Sequence, residues 1–485
     1  MEEVTVVIKK ILIGVALIIL LPGVSSCARE TPSQKSTTDH AELSDKISML
    51  VEESHDRGAF NGNIIVIKGG KTLYENSLGY TNSSRSEKLS SASIFNVGSI
   101  AKEFNAVGVM ILKERGKLTL DDKVSDYIPA LPEWAEQIQI RHLLNYTSGL
   151  PRVNWDTAET PDDVFNDLIK LDELEFQPGQ GYLYSNNNVF LQRLIIAEIT
   201  GQSFEQFTID NMLKPSGMKH AVIDPPEGSP LVVQAFNTNL VDDPFIVYPI
   251  TGWVHLTADD MVQWLTALHE GKLISASSLE TVFHSYSENQ LGAMGLGRFE
   301  GDVATYHQHH GSSYNYEALM TYDLAEDLMI VLLTNNKNYK VFEITEAIEA
   351  INKGEDFSIP KKSLSQALEK ECLEDVQGCL ETYHEMKEAN YDLYDFDNEQ
   401  ALNNLGYAVL GEGKIKGAIE IFKLLVSEFP EGSNGYDSLG EAYFADKDYE
   451  RSLENYEKSL ALDPANENAR KYIAEITRIL NGENP

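Results

Sequence analysis

The hydrophobic and polar positions of the chain first follow a helical period and then the pattern of a hairpin. Within residues 40–58, Leu43, Ile47 and Leu50 fall on one face, which predicts an amphipathic helix. The segment GNIIVIKGGKTLYENSLGYTN follows, with a strand-like run on each side of its paired glycines. Two glycines between such runs favour a tight turn, so we expect a β-hairpin here.

Similar patterns return about 250 residues later. The segments NYEALMTYD and LMIVLLTNN have the pattern of strands, and VFEITEAIEAINKG has the pattern of an amphipathic helix. Roughly 200 residues of mostly helical and loop sequence separate the two sets. Helix and hairpin at one end, with strands and helix at the other, predict one α+β domain at residues 41–353. Its antiparallel sheet would be assembled from both ends of the domain, with the helical insertion over one face.

After a linker at residues 354–364, the chain repeats itself with a period of 34 residues. The positions that recur are Leu405-Gly406 as Leu439-Gly440, Ala418 as Ser452, Phe422 as Tyr456, and Pro430 as Pro464. This pattern resembles tetratricopeptide repeats, which are paired helices with small residues where they cross. We therefore expect an all-α domain at residues 365–485, with an atypical first helix pair. Its groove would bind a protein or peptide partner, or the repeats would only cap and solubilise this end.

The N-terminal residues have the pattern of a targeting segment. An apolar run at residues 11–24 is too short to span a membrane and is followed by a cysteine, in VSSC, at Cys27. This arrangement resembles a bacterial lipobox, so residues 1–26 are predicted to be a lipoprotein signal peptide and Cys27 the site of lipid attachment. An ordinary secretory signal is the alternative. Residues 27–40 then form a polar tether, and the protein would be anchored to a membrane of the bacterial cell envelope, facing the periplasm or the exterior.

Composition narrows the choice of partners. The chain has 485 residues, 42% of them apolar, which is enough for more than one core. Its formal net charge of −36 argues against nucleic acid or an anionic membrane surface as the main partner, because both would repel it.

The cysteines and histidines predict neither a disulfide nor a metal site. Cys372 and Cys379 lie seven residues apart in a helical pattern. Along one helix their Cα atoms would be about 10 Å apart, which is too far for a disulfide. His309 and His310 have no companion ligands at metal spacing, so we expect no metal and no other cofactor.

The stretch FNVGSIAKEF carries the first candidate chemistry, Ser99 followed three residues later by Lys102. On a helix this spacing puts both side chains on one face, about 5–6 Å apart at Cβ. A lysine there can assist deprotonation of the serine if burial lowers the pKa of its ammonium group. Serine and lysine are also common on solvated helix faces, so the pair alone is a weak signal.

Two further segments strengthen this interpretation. FQPGQGYLYSNNNVF contains Tyr184 and Asn186 after a Pro-Gly turn, and the tyrosine can act as a general base near an ammonium group. YHQHHGSSYNYEALM contains His309, Gly311 and Ser312, where glycine permits close approach of a substrate. Taken singly, Tyr184 would be a core aromatic residue and the histidines would be surface residues.

In this order and spacing, the three segments resemble the serine hydrolase family of class C β-lactamases, penicillin-binding proteins, D-aminopeptidases and related esterases. The resemblance implies a mixed α/β domain with its site between the sheet and the helical insertion. Ser99 would be the nucleophile, Lys102 and Tyr184 would transfer its proton, and Asn186 would hold the substrate and Lys102. The N–H groups of Ser99 and Ser312 would form the oxyanion hole. Whether Lys102 or Tyr184 is the base stays open, because their titrations are coupled.

Two positions depart from the family pattern. β-Lactamases usually carry Lys-Thr-Gly where this chain has His309-His310-Gly311, and histidine is mostly neutral at pH 7. The substitution favours an esterase or a peptidase over an efficient β-lactamase. It also predicts better turnover of a cephalosporin near about pH 6, where His309 would gain a proton. Tyr146 stands where relatives often have histidine.

Three functions are compatible with the sequence. The first is an exported, lipid-anchored serine hydrolase that acts on an ester, an amide or a peptidoglycan-like D-amino-acid peptide. The second is a dead or slow site that senses wall fragments or β-lactams and signals through the repeats. In the third, the repeats do the work and the hydrolase domain is a scaffold. The presence of all three motifs favours the enzyme.

Overall fold

The computed structural model describes residues 32–155, 157–244, 253–287, 290–301 and 303–482. The predicted signal peptide and Cys27 lie outside the described residues. The chain divides into two compact units, Met1–Glu42 and Leu43–Pro485. The described part of the first unit is helical, so the predicted tether has helical structure from Pro32 onward. Among the described residues, no helix is both long enough and apolar enough to span a membrane.

Strands from both ends of the α+β domain pair in one antiparallel sheet. In chain order, the strands of the described residues are β1 (Gly62–Lys68), β2 (Lys71–Leu78), β3 (Phe95–Asn96), β4 (Val222–Ile223), β5 (Val254–Leu256), β6 (Leu296–Glu300), β7 (Val303–Ser313), β8 (Tyr316–Asp323) and β9 (Leu328–Thr334). The large sheet has the order β2-β1-β9-β8-β7-β6, and β3-β5-β4 form a small second sheet. Because β1 pairs with β9, the beginning and the end of the domain meet inside the sheet, which confirms the predicted architecture.

The helices of the same domain divide into two groups around this sheet. They are α1 (Pro32–Asp56), α2 (Ala101–Glu114), α3 (Val124–Tyr127), α4 (Ile140–Leu144), α5 (Pro161–Ile169), α6 (Asn186–Thr200), α7 (Phe204–Thr208), α8 (Lys214–Ser216), α9 (Ala258–His269), α10 (Ala276–Phe283) and α11 (Val341–Lys353). The C-terminal half of α1, together with α11, forms one core with one face of the sheet. Helices α2, α6, α9 and α10 contribute to a larger core on the other face.

The side chains of β1 point alternately into the two cores on either face of the sheet. Ile64 and Val66 are buried in the core that contains α11, whereas Ile65 is buried in the larger helical core. Successive side chains of a strand point to opposite faces, so a nearly continuous apolar run indicates a strand that is buried on both sides. The sheet is therefore the middle layer of the domain, and the helical insertion covers one of its faces.

The remaining residues form helix pairs. These helices are α12 (Leu364–Glu374), α13 (Val376–Asn390), α14 (Glu399–Gly411), α15 (Ile415–Glu428), α16 (Ser433–Ala445), α17 (Tyr449–Leu462) and α18 (Glu467–Leu480). A Cβ atom at Gly406 would overlap with the ring of Phe422, and one at Gly440 would lie 3.0 Å from the ring of Tyr456. The repeated glycine therefore lets an aromatic residue of the second helix pack against the first, which is the crossing that the repeat pattern predicts.

The prediction that Cys372 and Cys379 are too far apart to pair is wrong, because the two residues form a disulfide. Their Cα atoms are 4.9 Å apart, within the usual range for this bond. The prediction placed both residues on one continuous helix. In the structure Asp375 separates α12 from α13, and its side chain accepts a hydrogen bond from the N–H of Gln377. This N-cap begins a new helix, and the two cysteines meet across the break.

A buried ion pair joins the α+β domain to the helical region. The ammonium group of Lys340, before α11, lies 2.6 Å from Oδ2 of Asp395, and both side chains are buried. Asp395 also accepts the N–H of Leu364, at the first residue of α12. One carboxylate therefore binds both the end of the α+β domain and the beginning of the helical pairs.

Candidate active site

Ser99 lies in a short 3₁₀ turn, Gly98–Ile100, at the beginning of α2. The turn depends on Gly98, which has a φ of +53°. A Cβ atom there would overlap with the backbone nitrogen of Ser312 on β7. The side chain of Asn96 holds the turn by accepting the N–H of Gly98 at 2.7 Å. Glycine is required here both for its left-handed conformation and because β7 is so close.

Two side chains donate hydrogen bonds to the hydroxyl oxygen of Ser99. Nζ of Lys102 is 3.1 Å from this oxygen, and the phenol oxygen of Tyr184 is 3.0 Å from it. The ammonium group also lies 5.2 Å from the centre of the Tyr184 ring. Lys102 is only 6% exposed. The structure therefore brings together the serine, the lysine and the tyrosine of two separate sequence segments.

The N-terminus of α6 positions Tyr184 and Asn186. Ser185 is the N-cap residue, and its hydroxyl accepts the N–H of Asn187 at 3.1 Å and donates to the carbonyl of Pro151. Oδ1 of Asn186 is buried and makes no hydrogen bond within the described part of the chain. Unpaired buried acceptors are uncommon, because burial without a partner costs free energy. Lys102 makes no hydrogen bond to this oxygen, so the expected contact between Asn186 and Lys102 is not made through it in the described structure.

The third segment lies on β7, which runs directly against the turn that carries Ser99. A Cβ atom at Gly311 would overlap with the carbonyl oxygen of Val97 and would lie 2.8 Å from the backbone nitrogen of Ser99. Glycine at this position lets the two backbones touch. The backbone nitrogen of Ser99 is in the turn before α2, and that of Ser312 is on β7, which contacts this turn. This arrangement is compatible with an oxyanion hole.

His309 is buried and is bonded to Glu103, a residue that no sequence motif indicates. Its Nδ1 is 2.6 Å from Oε1 of Glu103, the residue after Lys102. Burial lowers the pKa of His309, and Glu103 only partly opposes this effect. The expectation that His309 gains a proton near about pH 6 is therefore corrected, because the neutral imidazole persists to lower pH.

Glu103 is the centre of a buried polar cluster. Its carboxylate accepts hydrogen bonds from Nε1 of Trp264 at 2.7 Å and from Nε2 of His307 at 3.0 Å, in addition to the bond from His309. His307 is in turn 3.0 Å from Nε2 of His269. Burial raises the pKa of Glu103, but the attraction and hydrogen bond of His307, with the bond from His309, outweigh burial and lower it to about 2.

This cluster determines the tautomer of His309. A carboxylate can only accept hydrogen bonds, so the bond to Glu103 requires the proton on Nδ1 of the neutral ring. Nε2 is then an acceptor. A sequence signal for the cluster exists, since His307 and His309 alternate on one strand and therefore share a face, and Glu103 interrupts an apolar helix.

Tyr146, the second departure from the family pattern, packs against the ring of Tyr184. The ring centroids are 4.7 Å apart, and Tyr146 is only 1% exposed. Burial raises the pKa of Tyr146, with a further contribution from Tyr184. A neutral aromatic residue therefore supports Tyr184 from one side.

The sheet, the helical insertion and the three converging segments define a class of protein, α+β hydrolases with a serine-lysine-tyrosine site. The family model described as beta-lactamase matches residues 47–352, and a tetratricopeptide repeat model matches residues 433–466. The chain belongs to the beta-lactamase family of serine hydrolases, which includes β-lactamases, penicillin-binding proteins and esterases. It carries a tetratricopeptide repeat in its C-terminal region.

Individual relatives agree with this assignment. The chain is 27% identical to penicillin-binding protein 4* of Bacillus subtilis over 353 residues, which cover 65% of this chain and 77% of that protein. A solved class C beta-lactamase matches this chain with a TM-score of 0.56 and 20% identity. The match covers 65% of this chain and 97% of the class C beta-lactamase chain. The solved structure of EstCE1, a hydrolase with promiscuous acyltransferase activity, has a TM-score of 0.55 and 19% identity, with coverage of 65% and 99%. These two solved structures share the fold of the α+β domain of this chain.

Proposed function

We propose that this protein hydrolyses an ester, an amide or a D-amino-acid peptide through an acyl-serine intermediate. The observation that carries the proposal is the pair of hydrogen bonds, from Lys102 and from Tyr184, that converge on the hydroxyl oxygen of Ser99. Two potential proton carriers on one hydroxyl are typical of an activated nucleophile. On a solvated helix face, the two hydrogen bonds would not converge on the Ser99 hydroxyl and Lys102 would not be buried.

In the proposed reaction, the oxygen of Ser99 attacks the carbonyl carbon while its proton passes to the Lys102–Tyr184 pair. The N–H groups of Ser99 and Ser312 stabilise the negative oxygen of the tetrahedral intermediate. The pair gives the proton to the leaving alcohol or amine as the bond to the carbonyl carbon breaks. Water then attacks the acyl-serine, its proton passes through the same pair to the oxygen of Ser99, and the free enzyme is restored.

The proposed substrate preference follows from the surroundings of His309. The unpaired Oδ1 of Asn186 would accept an N–H of the substrate, whereas Nε2 of the neutral His309 imidazole can only accept a hydrogen bond and so offers none to a carboxylate. A substrate carboxylate then lacks a cation at this position. A charged hydrogen bond to such a carboxylate would contribute about 1.5–3 kcal/mol, and without it we expect cephalosporins to be poor substrates.

Turnover of a chromogenic ester tests the proposal. Purified full-length protein should hydrolyse 4-nitrophenyl acetate, and Ser99→Ala should abolish the enzymatic rate. A panel of D-alanyl amides, muropeptides and cephalosporins then identifies the preferred class. Acylation that never leads to turnover would contradict the hydrolase and support a penicillin-recognising sensor. An equal rate for the wild type and Ser99→Ala would exclude Ser99.

We also propose that the protein is exported and that Cys27 carries lipid. The support is the sequence alone, VSSC after a short apolar run. Mass spectrometry of protein extracted from membranes should find an acylated N-terminal Cys27. A soluble form that begins at another residue would contradict the anchor.

A further inference from the structure

A cavity of about 660 Å³ lies where the α+β domain meets the first helical pair. The end of α1, the loop after β2, the loop after β9 and the beginning of α12 contribute to its walls. Cavities of about 300–1,000 Å³ at domain interfaces are common places for small ligands. Ser99, Lys102 and Tyr184 do not line this cavity, so it is separate from the candidate active site.

The charge of the walls is opposite to that of the protein as a whole. Arg57, Arg85 and Lys362 line the cavity, and Asp56 is the one carboxylate among the described residues that line it. The chain carries 75 acidic and 39 basic residues, so an average site would have more carboxylates than cations. Three cations against one carboxylate give the cavity a locally positive potential, which favours an anion at short range.

Two of these cations have no carboxylate partner within the described residues. Arg57 is paired with Glu53 at 3.0 Å, whereas Arg85 and Lys362 make no ion pair there. Each instead lies over a tyrosine ring that also lines the cavity. The guanidinium carbon of Arg85 is 6.0 Å from the ring centre of Tyr80. Nζ of Lys362 is 5.9 Å from that of Tyr394.

The backbone at Arg85 supports a role for its side chain. Its φ is +54°, in the left-handed region that glycine and asparagine adopt at lower cost. The surrounding turn would therefore form more easily with a small residue. An arginine here costs conformational energy and adds a cation to the wall of the cavity.

We propose that this cavity binds a small organic anion with at least two carboxylate or phosphate groups. Arg85 from the α+β domain and Lys362 from the linker would each bind one anionic group by charge-assisted hydrogen bonds. The volume leaves room for a neutral body between these groups. Because the bound anion contacts both parts of the chain, it also stabilises the junction between them.

Calorimetric titration of the full chain at low salt tests this proposal with two probes, citrate and inorganic pyrophosphate. The probe that binds more tightly shows whether carboxylate or phosphate is preferred. Binding should be saturable with one site, should weaken as NaCl is raised, and should be absent for the uncharged triamide of citric acid. Arg85→Gln and Lys362→Gln should each weaken binding about tenfold, since each removes one charged hydrogen bond.

Two neighbouring lysines provide matched controls. Lys361→Gln changes the residue beside Lys362, but Lys361 is paired with Asp397 and does not line the cavity. Lys88→Gln changes an exposed cation on the loop of Arg85 that is also outside the cavity. Both should bind the probe as the wild type does, and all four variants should keep their ester turnover. Failure of both probes to bind, or equal binding by the Arg85→Gln/Lys362→Gln double variant, would overturn the proposal.

Discussion

At the scale of single residues, the hydroxyl of Ser99 accepts hydrogen bonds from two donors of different chemistry, on which its proposed reactivity depends. The ammonium group of Lys102 lies in the same helical turn, and the phenol of Tyr184 is brought to the hydroxyl by the N-terminus of α6. In the proposed reaction, the phenol can carry a proton between Ser99 and a leaving group. We therefore expect the two side chains to act as one unit for proton transfer.

Removing the phenol or the ammonium group at Ser99 should slow acylation. Tyr184→Phe and Lys102→Ala each delete one hydrogen bond to the nucleophile, and loss of a positioned acid or base typically costs about 10²–10⁴ in rate. Stopped-flow measurement of acylation checks this, with circular dichroism to establish folding. Tyr182→Phe is the control, because its phenol donates to the carbonyl of Leu291 rather than to Ser99. Near-normal acylation by Tyr184→Phe would make the tyrosine a packing residue only.

Glu103→Gln should change how stability depends on pH. The pKa of Glu103 is lowered from 4.5 to about 2 in the folded protein. A carboxyl group with a lowered folded pKa stabilises the fold above its unfolded pKa, and this contribution is lost as the pH falls from about 4.5 towards 2. The wild type should therefore lose on the order of 3 kcal/mol over this interval that the variant does not lose.

Urea unfolding at several pH values measures this difference. Glu136→Gln, at an exposed carboxylate, is the control and should follow the wild type. Parallel curves for the wild type and Glu103→Gln would show that the cluster does not hold the carboxylate in its charged form.

The residues of the site differ in how far the sequence reveals them. Ser99, Lys102 and Tyr184 stand in motifs whose order along the chain selects them before the structure is known. Glu103 could not be selected in the same way. Its role depends on His307 and His309, which lie more than 200 residues further along the chain, and only the packing of the sheet against α2 brings them together.

At the scale of elements, the sheet was predictable and the break between α12 and α13 was not. The Gly-Gly turn and the nearly continuous apolar runs of β1 and β9 are local patterns that indicate central strands buried on both faces. The segment around Asp375 has a helical period on both sides, so periodicity alone favours one helix. The N-cap hydrogen bond of Asp375 and the disulfide between Cys372 and Cys379 instead stabilise two separate helices.

Loss of the disulfide should destabilise the helical region and leave the chemistry unchanged. The bond closes a loop with a sequence separation of 7, for which chain entropy predicts about 2–3 kcal/mol. Cys379→Ser should lower the unfolding midpoint of the helical region while ester turnover stays within error. Alkylation before reduction should label neither Cys372 nor Cys379 in the wild type. Rapid labelling of both would contradict the bond.

At the scale of the whole molecule, the candidate site is complete within the α+β domain, whereas the stability of that domain also depends on the helices. Ser99, Tyr184 and β7 all precede Gly354, at the C-terminus of α11. Lys340, however, is only 2% exposed, and it pairs with Glu343 in its own domain and with Asp395 in the helical region. The patterns of the sequence predict two regions, but this ion pair joins residues too far apart for any local pattern to indicate.

Truncation after Gly354 should therefore separate activity from stability. Small-ester kinetics should stay within a few-fold at low temperature, because no candidate catalytic residue is removed. The midpoint of thermal unfolding should fall, because the ammonium charge of Lys340 loses its buried partner Asp395 and keeps only the more exposed Glu343. Lys340→Met in the truncated chain removes that charge and should recover part of the loss. Collapse of turnover in a folded truncated protein would show that the repeats complete the site.

The central claim is that Ser99 forms a covalent acyl intermediate. Its most direct test is the mass of the protein after reaction with a fluorophosphonate, followed by digestion and sequencing of the labelled peptide. We predict one added phosphonyl group on the peptide that contains Ser99, and no labelling of a Ser99→Ala variant whose folding is established by circular dichroism. A label on any other residue, or equal labelling of the wild type and Ser99→Ala, would contradict the claim.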